Sequence, residues 1–156
     1  MQYAGSAQNV DAATAYLEEI INEEGPFDGV IGFSQGAAFA ARLLLRHQEQ
    51  DPFGPPPFKM AVFFCASSLF YFKTVQEYEE RMEKFAEIRV QVPTVHVVGT
   101  KDPHRPFGLD LIELCDRKVR QTIDHVMGHE IPRDNIATEA IRNAVEWAVR
   151  MSNVGG

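Results

Sequence analysis

Apolar positions recur along this chain with two different periods, and the switches between them predict the elements. Over residues 11–24, Ala13, Leu17, Ile20 and Ile21 fall on one helical stripe among acidic residues, and Gly25-Pro26 stops the helix. Residues 29–33 form a short apolar run suited to a strand buried on both faces, and it leads directly into an Ala/Leu-rich helix over 35–48. Pro52, Gly54, Pro55, Pro56 and Pro57 make 51–58 a loop. A second apolar strand follows over 60–65. Next come an aromatic patch (Leu69, Phe70, Tyr71, Phe72) and a charged helix over 75–85 that turns Tyr78, Met82 and Phe85 inward, as a crossover or a lid. A third strand over 94–98 precedes a turn at 99–103 and a helix over 107–115, and a weaker fourth strand occupies 120–126. After a loop over 127–135, the closing helix over 136–151 carries Ile141, Val145 and Ala148 on one face.

Strands that alternate with helices imply βαβ units, hence an α/β fold with a mostly parallel sheet between two helical layers. The 156 residues suffice for one domain, expected over 11–151, with flexible tails at 1–10 and 152–156. Ligands of such sheets bind at the carboxyl ends of the strands, which places the chemistry just after residues 33, 65, 98 and 126.

One motif sits at such a place. Gly32-Phe33-Ser34-Gln35-Gly36 fits G-x-S-x-G at a strand-to-helix junction, where a sharp turn pushes the serine out of the sheet and leaves little room for Cβ atoms two residues to either side. Ser34 is then the candidate nucleophile, and it needs a base within hydrogen-bond reach. Five histidines compete. His129 lies in the loop after the fourth strand, at the right end of the sheet. His96 and His125 fall within strands, His47 ends a helix, and His104 lies just past the turn at Asp102. Asp102 itself follows the third strand and suits the orienting carboxylate, which gives the chain order Ser34, Asp102, His129. The backbone N–H of Gln35, at the start of a helix, is a candidate oxyanion donor.

Composition narrows the partners. Fifteen Lys and Arg against 22 Asp and Glu leave a net charge of −7, which opposes binding to nucleic acid. Cys65 and Cys115 are too few and too far apart for a disulfide framework or thiolate metal site, which suits a reducing, cytoplasmic setting. Cys65 ends a strand at the active end of the sheet, where a small buried hydrophobe is the simplest reading. No secretory leader and no membrane-length apolar run is visible. His, Asp and Glu show no zinc-ligand spacing and the glycines match no phosphate-binding loop, so no metal site is expected.

The segments 25–37 (GPFDGVIGFSQGA), 97–102 (VVGTKD) and 128–132 (GHEIP) together resemble the family of serine hydrolases within the α/β-hydrolase fold that includes fungal esterases and polyketide-releasing thioesterases. The resemblance runs from about residue 11 to residue 151. It implies a triad of Ser34, Asp102 and His129, a small-molecule ester or thioester substrate, and no cofactor. The family's opening strand and its His-Gly loop, which supplies one oxyanion N–H, have no counterpart in the 33 residues before Ser34, so an N-terminally shortened α/β-hydrolase fold is expected. The strand over 30–33 then lies at an open edge, and self-association through it is expected unless the first ten residues fold over it. The alternative reading is a catalytically silent, hydrolase-like module that acts through this edge.

Overall fold

Four short strands, each following the next in parallel, set the frame in a computed structural model that describes residues 7–154. The order along the chain is α1 (Ala7–Glu24), β1 (Val30–Phe33), α2 (Gln35–Gln50), β2 (Ala61–Phe64), α3 (Val75–Ile88), β3 (Thr94–Gly99), α4 (Arg105–Glu113), β4 (Arg120–His125) and α5 (Asn135–Val154), with a single 3₁₀ turn at Arg117–Val119. The sheet runs β1-β2-β3-β4, with Phe33 beside Phe64, Phe64 beside Val97, and Gly99 beside His125. All four carboxyl ends therefore meet along one rim.

Alternation along the strands divides the core in two. Ala61 and Phe63 of β2 face a cluster with Ala37, Ala41 and Leu45 of α2 and Leu111 of α4, onto which Leu17 and Ile21 of α1 and Tyr78, Met82 and Phe85 of α3 pack half-buried. Val62 and Phe64, with Val95 and Val97 of β3, face the other way, onto Ala144 and Ala148 of α5. The helical layers thus lie on both faces, as the apolar periods predict. The 67–89 segment is a crossover whose helix α3 packs on α2.

Element ends shift for local reasons. β2 stops at Phe64, one residue early, because Cys65 leaves the strand with φ 45°. α4 begins at Arg105 with Pro106 in its first turn, where a missing N–H costs nothing. α1 starts at Ala7, within the stretch expected as a tail, and α5 continues to Val154; the rest of both tails lies outside the described residues. No helix among the described residues is long and apolar enough to cross a membrane.

α5 covers β3 and β4, and no other helix among the described residues covers the same face of β1. Ile31 is 71% exposed and Phe33 40% exposed on an edge strand. If this edge recruits a second chain, the sedimentation coefficient rises with concentration and Ile31→Lys holds it at the monomer value. A wild-type chain that stays monomeric at every concentration removes the expectation.

His96, inside β3, is 2% exposed, with Nε2 3.0 Å from Thr94 Oγ1. Burial, aided by Arg120, pulls its pKa down from 6.5 to about 3. Between those values the unfolded chain takes up a proton that the folded chain refuses, so stability falls as pH drops, by on the order of 1 kcal/mol per pH unit from this one group. Urea unfolding compared at pH 7 and pH 5 checks this: His96→Gln flattens that part of the slope.

Candidate active site

Ser34 occupies the tightest point of the chain path. Its φ of 54° and ψ of −113° lie outside the ordinary regions, and its N–H donates to Phe64 O at 2.8 Å while its carbonyl accepts from Ala38 N and Ser67 N at 3.2 Å each. Gly32 makes the turn passable: a Cβ there would lie 2.5 Å from Ala37 N. Gly36 differs from expectation, since a Cβ at that position would meet nothing within 4 Å. The steric need falls on the first glycine of the motif alone, because the second opens away from the packed turn.

Asp102 follows β3 and turns back, with its N–H donating to Gly99 O at 3.2 Å. Its side chain is 1% exposed; Oδ1 accepts from His104 N at 2.7 Å, and Oδ2 lies 2.9 Å from His129 Nδ1. Burial alone would raise the Asp102 pKa, but the His104 N–H, the His129 ring and the Cys65 thiol outweigh it and hold the carboxyl below its usual value. His129, in the loop after β4, has its other nitrogen, Nε2, 2.8 Å from Ser34 Oγ. An ionised carboxylate can only accept, so Nδ1 carries the proton and Nε2 is free to accept from the serine hydroxyl. Phe33 and His104 flank the His129 ring, with centroids 5.2 Å and 4.9 Å away.

The three residues singled out along the chain thus meet in one hydrogen-bonded line, although 95 residues separate Ser34 from His129. Gln35 is the first residue of α2, where helical N–H groups have no partner within the helix. Of the other histidines, His96 and His125 are buried in the sheet and His47 lies in the last turn of α2. His104 reaches the site as well, though what it gives Asp102 is its backbone N–H.

Cys65 was placed at the right end of the sheet by its position in the chain, yet apolar packing does not describe its surroundings. Its Sγ lies 3.4 Å from Glu130 O and 3.9 Å from Gly128 O, the carbonyls on either side of His129. Cys65, Asp102 and His129 each bring a ligand-type atom within 4.8 Å of the others. Burial, and then Asp102, push the thiol up to about 11, so the thiolate a metal would need is disfavoured, and the carboxylate and imidazole are already engaged with each other. The trio is a hydrogen-bond network, and no metal chemistry is derived from it.

Comparison with known proteins places the chain in a family. Residues 2–141 match the family described as Serine hydrolase (FSH1). Esterase FPY3 of Fusarium mangiferae is 40% identical over 154 residues, an alignment covering 96% of this chain and 69% of that protein. Esterase FUS5 of Gibberella fujikuroi is 30% identical over 141 residues, covering 90% of this chain and 54% of that protein. Among solved structures, a monoacylglycerol lipase of Paleococcus ferrophilus superposes with a TM-score of 0.62 at 20% identity, over 91% of this chain and 76% of that one. Acyl-protein thioesterase 2 of Zea mays does so with a TM-score of 0.57 at 17% identity, over 96% and 69%. The fold is that of the α/β-hydrolases, and by the extent of the family match and the relatives it aligns with, the chain belongs to the Serine hydrolase (FSH1) family.

Proposed function

We propose that the protein hydrolyses a small-molecule carboxylic ester or thioester through Ser34, His129 and Asp102. The observation that carries this reading is the unbroken pair of contacts, Ser34 Oγ to His129 Nε2 at 2.8 Å and His129 Nδ1 to Asp102 Oδ2 at 2.9 Å. Ser34 Oγ attacks the acyl carbon as His129 Nε2 takes its proton, and the resulting imidazolium hands that proton to the departing alcohol or thiol. Water then repeats the sequence on the acyl-enzyme, with His129 again accepting a proton, and releases the acid and the free serine. Asp102 holds the tautomer that leaves Nε2 unprotonated and stabilises the imidazolium. The Gln35 N–H helps hold the oxyanion at the helix N-terminus. Membership in a family with named esterases supports ester hydrolysis in general, and no organic cofactor or metal enters this scheme. The two free, buried cysteines fit a reducing, cytoplasmic setting.

The bare β1 edge favours the second reading, a silent module that acts by association. A fluorophosphonate probe separates the two. Labelling of the wild type that vanishes in Ser34→Ala supports the hydrolase, whereas a folded, unlabelled wild type supports the module.

Two substitutions read the geometry further. Asp102→Asn leaves the shape but removes the charge, and kcat on a nitrophenyl ester falls by about 10⁴-fold. Gly99 ends β3 under the His129 loop, where a Cβ would sit 2.3 Å from Gly128 O. Gly99→Ala therefore pushes the loop away from Ser34 and lowers kcat by at least about 100-fold, since small misplacements cost that much. Wild-type turnover in Gly99→Ala would contradict the placement of the base.

A further inference from the structure

The proposed reaction gives Cys65 no part, yet its sulfur lies against the loop that carries His129 and beside Asp102. Sγ approaches Glu130 O at 3.4 Å and Gly128 O at 3.9 Å, lies 3.8 Å from His125 Nε2, and shares a 4.8 Å cluster with the Asp102 carboxylate and the His129 ring. A sulfur that only filled space would need no polar neighbour; this one lies within reach of two carbonyl oxygens. The backbone singles out the position too. Cys65 holds φ 45°, where side chains other than glycine are uncommon, and its N–H donates to Val97 O at 2.9 Å. The end of β2 is thereby fixed to β3 beside the turn that carries Asp102.

We propose that Cys65 is a positioning residue: its thiol ties the end of β2 to the loop carbonyls that bracket His129 and to the Asp102 carboxylate, and so keeps base and carboxylate in register. The inference rests on the triad reading above. One S–H serves one acceptor at a time, so the contacts form a shared set rather than three simultaneous bonds. Neutrality is what suits a thiol here. Its pKa, pushed up to about 11 by burial and by Asp102, keeps it protonated and able to donate over the working range. An ammonium or guanidinium in its place would compete with the His129 imidazolium for the carboxylate. The titratable groups that face it are Asp102 from the turn after β3, His125 at the end of β4 and His129 in the following loop. His125 itself is buried, and its Nδ1 has no hydrogen-bond partner among the described residues.

Cys65→Ala and Cys65→Ser, made in the full chain, test this. Turnover of a nitrophenyl ester is normalised to sites titrated by fluorophosphonate, and the low-field proton NMR signal of the His129 Nδ1–H is recorded beside it. Loss of a neutral hydrogen bond of this kind costs about 2- to 10-fold in activity. Cys65→Ala should lose that much in kcat with KM little changed. Its acid limb of kcat/KM should move to higher pH, because a carboxylate stripped of one donor holds the imidazolium more tightly, and the Nδ1–H signal should shift. Cys65→Ser, which keeps a donor, should restore kcat and the signal toward wild type, and a purely structural role would not distinguish the two variants per titrated site. Unchanged kcat and an unchanged signal in Cys65→Ala overturn the inference while the triad stands. If Cys65→Ala fails to fold, the serine variant decides, since a loss of kcat and a shifted signal there, despite the retained donor, count against positioning by hydrogen bonding. A wild type inert to both probe and ester overturns the triad reading instead, and the Nδ1–H signal still tests Cys65 without turnover.

Discussion

The hydrogen bond from the Ser34 N–H to the Phe64 carbonyl, 2.8 Å long, joins the strained turn after β1 to the end of β2. It continues the parallel register by one residue beyond the strand, and it holds Ser34 at a φ of 54° that the residue would leave if released. The Ser67 N–H reaches the Ser34 carbonyl from the loop after β2 and closes the same turn from the other side. Without this pair of contacts the serine would have no fixed direction, and the histidine loop nothing to meet. The strain is sustained by the buried strand behind it, since Phe63 is 1% and Val62 0% exposed.

Register extends this control across the sheet. Because Gly99 pairs with His125, the turn holding Asp102 and the loop holding His129 leave the sheet at the same level, and Thr100 N and Lys101 N donate to His125 O and Met127 O across the gap. The carboxylate is then buried while the His104 N–H and the His129 ring lie 2.7 Å and 2.9 Å from its oxygens, and the imidazole stays partly open to solvent, 28% exposed.

The order and type of the elements were legible because each carries its own period. Continuous apolar runs marked β2 and β3, and stripes at helical spacing marked α1, α3 and α5, within a few residues of their ends. Ends were less legible where a backbone angle decides them, as at Cys65 with φ 45° and Arg89 with φ 41°. At the site, Ser34 announced itself through a local motif, and Asp102 and His129 through their positions after strands. The steric weight assigned to Gly36 was misplaced, because whether a Cβ collides depends on atoms the motif does not contain.

Periods and chain order thus determined an α/β protein with a serine at a strand-to-helix junction and an aspartate and a histidine that each follow a later strand. Tertiary structure decided the distances: that His129 rather than His104 or His125 meets Ser34, that Cys65 lies among the carbonyls around the base, and that Ile31 and Phe33 stay uncovered. The reason is physical. Periods and motifs arise from neighbours a few residues apart, whereas a contact between residues 34 and 129 exists only once four strands have paired and two helical layers have packed on them.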